Sequence, residues 1–384
     1  MPRCSIRPRP SVAVIACTAF VLLPAVATVL PTEVSAQARG GQQVERRASD
    51  PPVLRRNLRG VLGGVPMSAA DNMHQQVVQR LDFDSYKEIL HGLTQFGDRE
   101  QGTPRNEAAI DWIEDQLRGW GYDTERVHYM YTPRNSETAE PREEVFATKI
   151  GATNPGEMFI IGAHMDGRGG GEAANDDGSG TALVMELARV LAASDVHSDR
   201  SIRFALWNNE ETGLNGARAY VEQRADMQGV EDPPGSGRYP EPRWIGMIQH
   251  DMMMWDHGNP VTYNQALDAD VDVEFQLNSA MAAGSAELGL ALINANRLHA
   301  TDYPAVLSNA MSNTDSTPFM DLVPSVSLRE NRRLYETGNR GNPHWHQTTD
   351  LFETFSDADF MLGFNAAQTT LGAVAKLAGI RIGM

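Results

Sequence analysis

Five short clusters in this chain of 384 residues carry side chains able to bind metal or move protons. They are His164-Met165-Asp166, Ala174-Asn175-Asp176-Asp177-Gly178-Ser179-Gly180, Asn208-Asn209-Glu210-Glu211, His250-Asp251, and His344-Trp345-His346-Gln347-Thr348-Thr349-Asp350. Taken singly, each has an ordinary explanation. His164 with Asp166 fits a capped strand end, and Asp176-Asp177 before a helix fits an N-cap. Glu210-Glu211 fits a solvated face, and His346 with Asp350 fits a surface pair. Together they supply imidazoles and several carboxylates, the donor types that zinc takes while keeping a position open for water. Two zinc ions about 3.5–4 Å apart share a carboxylate and a hydroxide. Two histidines and three carboxylates set −3 against +4 and leave room for one hydroxide.

The elements that must hold these clusters can be read from hydrophobic pattern. Apolar runs at Val145–Ile150, Met158–Ala163, Ile202–Trp207 and Trp244–Ile248 are too short for typical helices and read as strands. Leu288–Ile293 and Val323–Leu328 are further strand candidates. Three of the runs lead straight into a polar cluster, and ligands of open α/β sheets gather at such strand ends. Between them lie helical patterns: Asn106 to Trp120, with Ala109, Ile110, Ile113, Leu117 and Trp120 on one face, then Gly180 to Ala193, then Asp357 to Leu377. The alternation argues for an α/β domain. Thr132–Glu144 and Gly229–Arg243 read as Pro- and Gly-rich surface loops.

With the motifs in order, the chain resembles the zinc aminopeptidase family called M28 over roughly residues 80–384. The resemblance is carried by Gly102-Thr103-Pro104-Arg105-Asn106, Ile160-Ile161-Gly162-Ala163-His164-Met165-Asp166, the 174–182 stretch, Asn209-Glu210-Glu211-Thr212-Gly213-Leu214-Asn215-Gly216, Asp251-Met252, and His346 with Asp350. It implies a mixed, largely parallel central sheet flanked by helices in a single catalytic domain. It implies that His164 and Asp251 bind one Zn2+, that Glu211 and His346 bind a second, and that Asp176 bridges them. Glu210 would be the general base of a hydroxide shared by the two ions, and Asp166 would hydrogen-bond His164 and fix its tautomer. The bond after the bridging aspartate, Asp176–Asp177, would be cis. The activity implied is release of amino acids from peptides with a free N-terminus. Two departures stand out. Many relatives read Ser-Asp-His-x-Pro-Phe where this chain has Thr314-Asp315-Ser316-Thr317-Pro318-Phe319, and several place Tyr where this chain has Trp345. Trp345 or Tyr335 could stand in for that tyrosine at the oxyanion.

Alternatives on the same fold are a glutamate-releasing carboxypeptidase, for which Arg329, Arg332 and Arg333 would receive the substrate carboxylate, and a glutaminyl cyclase, which works with one zinc. A receptor-like binding domain that has lost its ligands fits poorly, because no ligand is missing. At the N-terminus, Arg3, Arg7 and Arg9 precede an apolar run from Ser11 to Leu30, and Val34-Ser35-Ala36 offers a cut before Gln37, the layout of a secretory signal over residues 1–36. The expected location is secreted or periplasmic. A lipoprotein variant would use Cys17. Residues 37–75 read as a linker or short propeptide, and 76–384 as the zinc peptidase domain. Both cysteines, Cys4 and Cys17, fall in the removed segment, so the remainder has no disulfide to stabilise it. The net charge of −17 grows more negative once three arginines and one glutamate leave, which excludes nucleic acid and stable association with an anionic membrane as partners.

Overall fold

The runs at Met158–Ala163, Ile202–Trp207 and Trp244–Ile248 form the middle of one sheet, where strands covered on both faces are apolar along most of their length. The computed structural model describes residues 68–255, 271–330 and 342–383. The expected leader, both cysteines, Arg332, Arg333 and Tyr335 lie outside the described residues. In chain order the helices are α1 (Ala69–Val78), α2 (Phe83–Thr94), α3 (Pro104–Gly119), α4 (Gly180–Leu191), α5 (Asn215–Arg224), α6 (Ala282–His299) and α7 (Asp357–Leu377). The strands are β1 (Thr124–Tyr131), β2 (Glu140–Lys149), β3 (Asn154–His164), β4 (Val196–His197), β5 (Arg200–Trp207), β6 (Arg243–His250), β7 (Val271–Glu274), β8 (Ala305–Ser308), β9 (Ser325–Arg329) and β10 (Arg381–Ile382).

Eight strands make one sheet in the order β1-β2-β5-β3-β6-β9-β7-β8. The centre, β5-β3-β6-β9, is parallel. The hairpin β1-β2 adds antiparallel to β5 at one edge, and β7 pairs antiparallel to β9 at the other. This is the mixed, largely parallel sheet expected. One face is covered by α2, α3, α4, α6 and α7 through side chains such as Leu90, Ile110, Leu187, Leu292 and Leu371, all buried. The other face carries a smaller core, in which Tyr220 of α5 and Phe319 meet Trp207 and Trp244. No helix among the described residues is long and apolar enough to cross a membrane.

Local chemistry sets the helix boundaries. Thr103 caps α3 by accepting the Asn106 N–H, and Pro104 occupies the first turn, where a missing N–H costs nothing. Ser68 and Asp71 form a reciprocal capping box that starts α1, so this helix runs across residue 75. Two expectations need correction. Leu288–Ile293 is not a strand; it lies inside α6, where Leu288, Leu292 and Ile293 are buried and Leu290 is 52% exposed, a helical rather than an alternating pattern. Thr132–Glu144 is not all loop, because Glu140–Glu144 belongs to β2. Those residues pair with β1 only, while β5 pairs from Val145 onward, so this outer half of the strand can stay polar.

Candidate metal centre

Three parallel strands deliver their ends to one crevice. His164 is the last residue of β3, Asn208 to Glu211 follow β5, and Asp251 follows β6. Asp176 arrives from the turn before α4, and His346 from the loop before α7. Their donor atoms fall into two trios, each within 4.8 Å: His164, Glu210 and Asp251, and Asp176, Glu211 and His346. The trios meet at Asp176. His164 Nε2 lies 3.4 Å from its Oδ1, and His346 Nε2 lies 3.1 Å from its Oδ2. His346 Nε2 is also 2.9 Å from Glu211 Oε2. All six candidate residues therefore converge. Nitrogen and carboxylate oxygen in this ratio suit zinc, and a carboxylate with one imidazole against each oxygen suits a bridge.

The supports of the two trios explain their geometry. The His164 Nδ1–H donates to the main-chain carbonyl of Asp166 at 2.9 Å, while Asp166 Oδ1 is 3.6 Å away. A carbonyl can only accept, so this contact puts the proton on Nδ1 and leaves Nε2 free for a cation. The tautomer is thus fixed by the backbone of Asp166 rather than by its carboxylate. That carboxylate instead accepts the N–H of Glu210 at 3.0 Å and of Glu211 at 3.4 Å, which holds the loop after β5 in place. Asp177 accepts the N–H of His164, of Gly180 and of Met252, joining β3, α4 and the end of β6. The Asp176–Asp177 bond is cis, as the resemblance implied. Asp350 accepts the N–H of Asn175 and of Asp176 at 2.8 and 3.1 Å, so the loop bearing His346 is tied to the bridging residue. Gly169 makes that loop's approach possible. Its φ is +104°, and a Cβ there would stand 2.6 Å from the His346 carbonyl carbon.

Electrostatics follow from packing carboxylates against imidazoles. Burial alone would lower His346, but its bonds to Asp176 and Glu211 outweigh it and raise the ring to about 9. Burial pushes Glu211 up to about 7 and Glu210 well above the usual carboxylate range. Burial would raise Asp176 too, yet the two imidazoles hold it below that range. Raised imidazoles and carboxyls favour protons at this site, so a cation entering it would compete with them.

Other residues from the sequence clusters have structural work. His250 points away from the crevice, its Nδ1 against the Gly162 carbonyl and its Nε2 against Thr370, and burial takes it down to about 4. Asp315 is buried, with Oδ2 accepting from Gln249 at 3.3 Å, while Ser316, in the position of the absent histidine, contacts Met311. Trp345 lies with its ring 4.2 Å from the His346 ring and is 47% exposed. Arg329 is 1% exposed and held against Asp251, so it is not open to a substrate carboxylate. Sequence reasoning missed Arg99. This buried guanidinium donates to the carbonyls of Gly97, Met165, Glu172 and Ala173, gathering the loop between His164 and Asp176. One arginine between two helices carries no spacing signal that could have revealed it.

Comparison with known proteins agrees with this architecture. A curated "Probable zinc metalloprotease" of Leptosphaeria maculans is 31% identical over 175 residues, 40% of this chain and 40% of that protein. A "Probable lipoprotein aminopeptidase" of Mycobacterium tuberculosis is 39% identical over 88 residues, 23% of this chain and 17% of its own length. The chain therefore matches less than half the length of either relative. Among solved structures, an aminopeptidase from Aneurinibacillus superposes with a TM-score of 0.57 at 18% identity, covering 81% of this chain and 97% of that one. A glutaminyl cyclase of Porphyromonas gingivalis gives 0.57 at 18%, covering 78% and 98%. At that identity both show the fold alone. The profile of peptidase family M28 matches residues 145–367, more than half of the sequence, and the chain belongs to that family.

Proposed function

We propose that the chain is a two-zinc aminopeptidase, with His164 and Asp251 holding one ion, Glu211 and His346 the other, and Asp176 shared between them. The observation that carries this reading is the position of Asp176, with one oxygen 3.4 Å from His164 Nε2 and the other 3.1 Å from His346 Nε2. When bound, zinc polarises the scissile carbonyl and acidifies water. Glu210 belongs beside the first ion without serving as its ligand. Its carboxylate accepts the proton of the attacking water and passes it to the leaving amine. Burial supports that role, because it raises Glu210 above the usual carboxylate range and so makes its carboxylate a stronger proton acceptor. The loop after β5, pinned by Asp166, keeps Glu210 and Glu211 in their separate positions. Relatives named a probable zinc metalloprotease and a probable lipoprotein aminopeptidase support the metal and the N-terminal specificity. The burial of Arg329 weakens the carboxypeptidase alternative.

Metal analysis of the purified chain tests the metal count, and a panel of aminoacyl chromogenic amides against N-blocked peptides tests the specificity. Two zinc ions and cleavage of free-amine substrates alone are expected. One metal in an active preparation, or equal cleavage of blocked peptides, would overturn the corresponding part. The domain limits and export are part of the same proposal. Mass spectrometry of exported protein should find an N-terminus near Gln37, and a retained Met1 or a lipid on Cys17 would refute cleavage there.

A further inference from the structure

The last residue of β9 places a buried cation directly behind one candidate ligand. Arg329 is 1% exposed. Its Nη2 lies 2.9 Å from Asp251 Oδ2, and its Nε lies 3.4 Å from Glu274 Oε2. The position is built into the sheet. β6 and β9 run parallel with His250 beside Leu328, and the Asp251 N–H donates to the Leu328 carbonyl at 3.1 Å. The side chains that follow, Asp251 and Arg329, are thus neighbours by register. Nη2 also reaches toward the Ser312 and Asn313 carbonyls, at 3.5 and 3.3 Å. Nε and Nη1 have no hydrogen-bond partner among the described residues. This guanidinium is therefore held mainly by charge, shared between Asp251 and Glu274.

We infer that Arg329 restrains Asp251 to one free oxygen and weakens the hold of the His164 side on its metal, keeping that metal electron-poor. The inference rests on the reading of Asp251 as a ligand. Its physical basis is twofold. A carboxylate oxygen engaged by a guanidinium has less electron density to share and leaves only its partner oxygen for a cation. A fixed positive charge behind the ligand also repels the incoming dication, and burial leaves that repulsion poorly screened. Removing an outer partner that merely positions a ligand lowers metal affinity. Removing Arg329 should raise it, because Asp251 and Glu274 would otherwise be left as uncompensated buried charges that only the metal can offset. The sign of the change separates a charge role from a structural one.

The test uses full-length chain in a His346→Ala background, so that uptake reports the His164 side. Zinc affinity is measured by competition with a chromogenic chelator. Arg329→Gln should bind zinc on the order of 10-fold more tightly. Arg329→Lys, which keeps the charge, should stay close to the parent. Glu274→Gln leaves the guanidinium to Asp251 alone and should bind zinc more weakly, which keeps the proposal testable if Arg329→Gln folds poorly. Weaker binding by both Arg329 variants, or unchanged binding by Arg329→Gln and Glu274→Gln, would overturn the charge role. Uptake that is indifferent to Asp251→Asn would instead overturn the reading of Asp251 as a ligand, and the inference with it.

Discussion

The two trios of the candidate centre are built from the same donor types but by different parts of the fold. His164, Glu210 and Asp251 stand at the ends of three adjacent parallel strands and are all buried. Asp176, Glu211 and His346 include two partly exposed residues, and His346 comes from a loop after the sheet is complete. In the first trio, His164 and Asp251 are positioned by main-chain pairing that the core enforces, and Glu210 by its N–H bond to Asp166. The second is positioned by side-chain clamps, Asp350 on Asp176 and the close passage of Gly169 under His346. The first side should thus keep its geometry for as long as the sheet is folded, while the second should be disrupted without unfolding.

The largest effects should come where the trios join or where the proton moves. Asp176→Ala should lose both metals and all measurable turnover; retention of one tightly held metal would show that the trios are independent. Glu210→Gln should keep both metals and the fold yet lose ~10²–10⁴-fold in turnover, because an amide cannot accept the proton. Glu211→Gln should weaken the metal on the His346 side as well as the rate. If Glu210→Gln loses a metal and Glu211→Gln keeps both, the assigned roles are reversed.

The next contrast is between the two histidines. His346→Ala should bind one metal and melt close to the parent protein in metal-free form, since the ring is only partly buried. His164→Ala should lower the metal-free melting temperature as well, because it leaves a cavity beneath the sheet and frees the Asp166 carbonyl. Equal melting losses in the two variants would erase the distinction between strand-built and loop-built halves.

Acidity offers a further test. The ring of His346 in the metal-free chain is raised to about 9, above its ordinary value, so it carries a proton at neutral pH. A metal binds only the neutral imidazole. Uptake on that side must therefore release a proton, and affinity must weaken as pH falls below about 9. Zinc titrations across pH 6–9 in a lightly buffered dye solution should record both. An affinity flat over that range would contradict the pairing of His346 with Asp176 and Glu211.

Much of this arrangement is legible in the sequence because strand ends leave a mark there. A run such as Ile202–Trp207, apolar but for Arg203, ends abruptly in Asn208-Asn209-Glu210-Glu211, and no amphipathic pattern explains the change. The residues that position the candidate ligands leave no such mark. Arg99 is a lone arginine between Asp98 and Glu100 in the connection from α2 to α3, yet it gathers four carbonyls. Arg329 drew notice for the wrong partner, since sequence gives a cation but not the register that sets it beside Asp251. The misread stretch at 288–293 fails for a related reason. Six apolar residues in a row are ambiguous until their neighbours are seen to extend the helix on both sides. β1, with only Val127 buried, and the four-residue strands β7 and β8 carry too little hydrophobic pattern to be noticed.

The smallest expected effects come from two glycines, and they address the comparison without touching a ligand. Gly162 lies in β3 two residues before His164, and a Cβ there would stand 2.4 Å from Trp207 Nε1 and 2.9 Å from Gln249 Oε1. Those neighbours belong to β5 and β6, so Gly162→Ala must strain the sheet itself. A destabilisation on the order of 1–3 kcal/mol is expected, spread over the whole unfolding transition, with both metals still bound below the melting temperature. Gly169 lies in the loop that passes beneath His346, with φ at +104°, and a Cβ would meet the His346 backbone at 2.6–2.7 Å. Gly169→Ala cannot relax into the sheet; it can only lift the His346 loop. Its cost, about 1–3 kcal/mol for a side chain forced into that backbone region, should be borne locally. The second metal should weaken and turnover should fall, while the melting temperature of the metal-free chain stays near the parent. Calorimetry and zinc competition on the pair decide it. Should Gly169→Ala melt as early as Gly162→Ala with its metal undisturbed, the His346 loop is part of the same cooperative unit as the sheet, and the two halves of the centre are held by one structure rather than two.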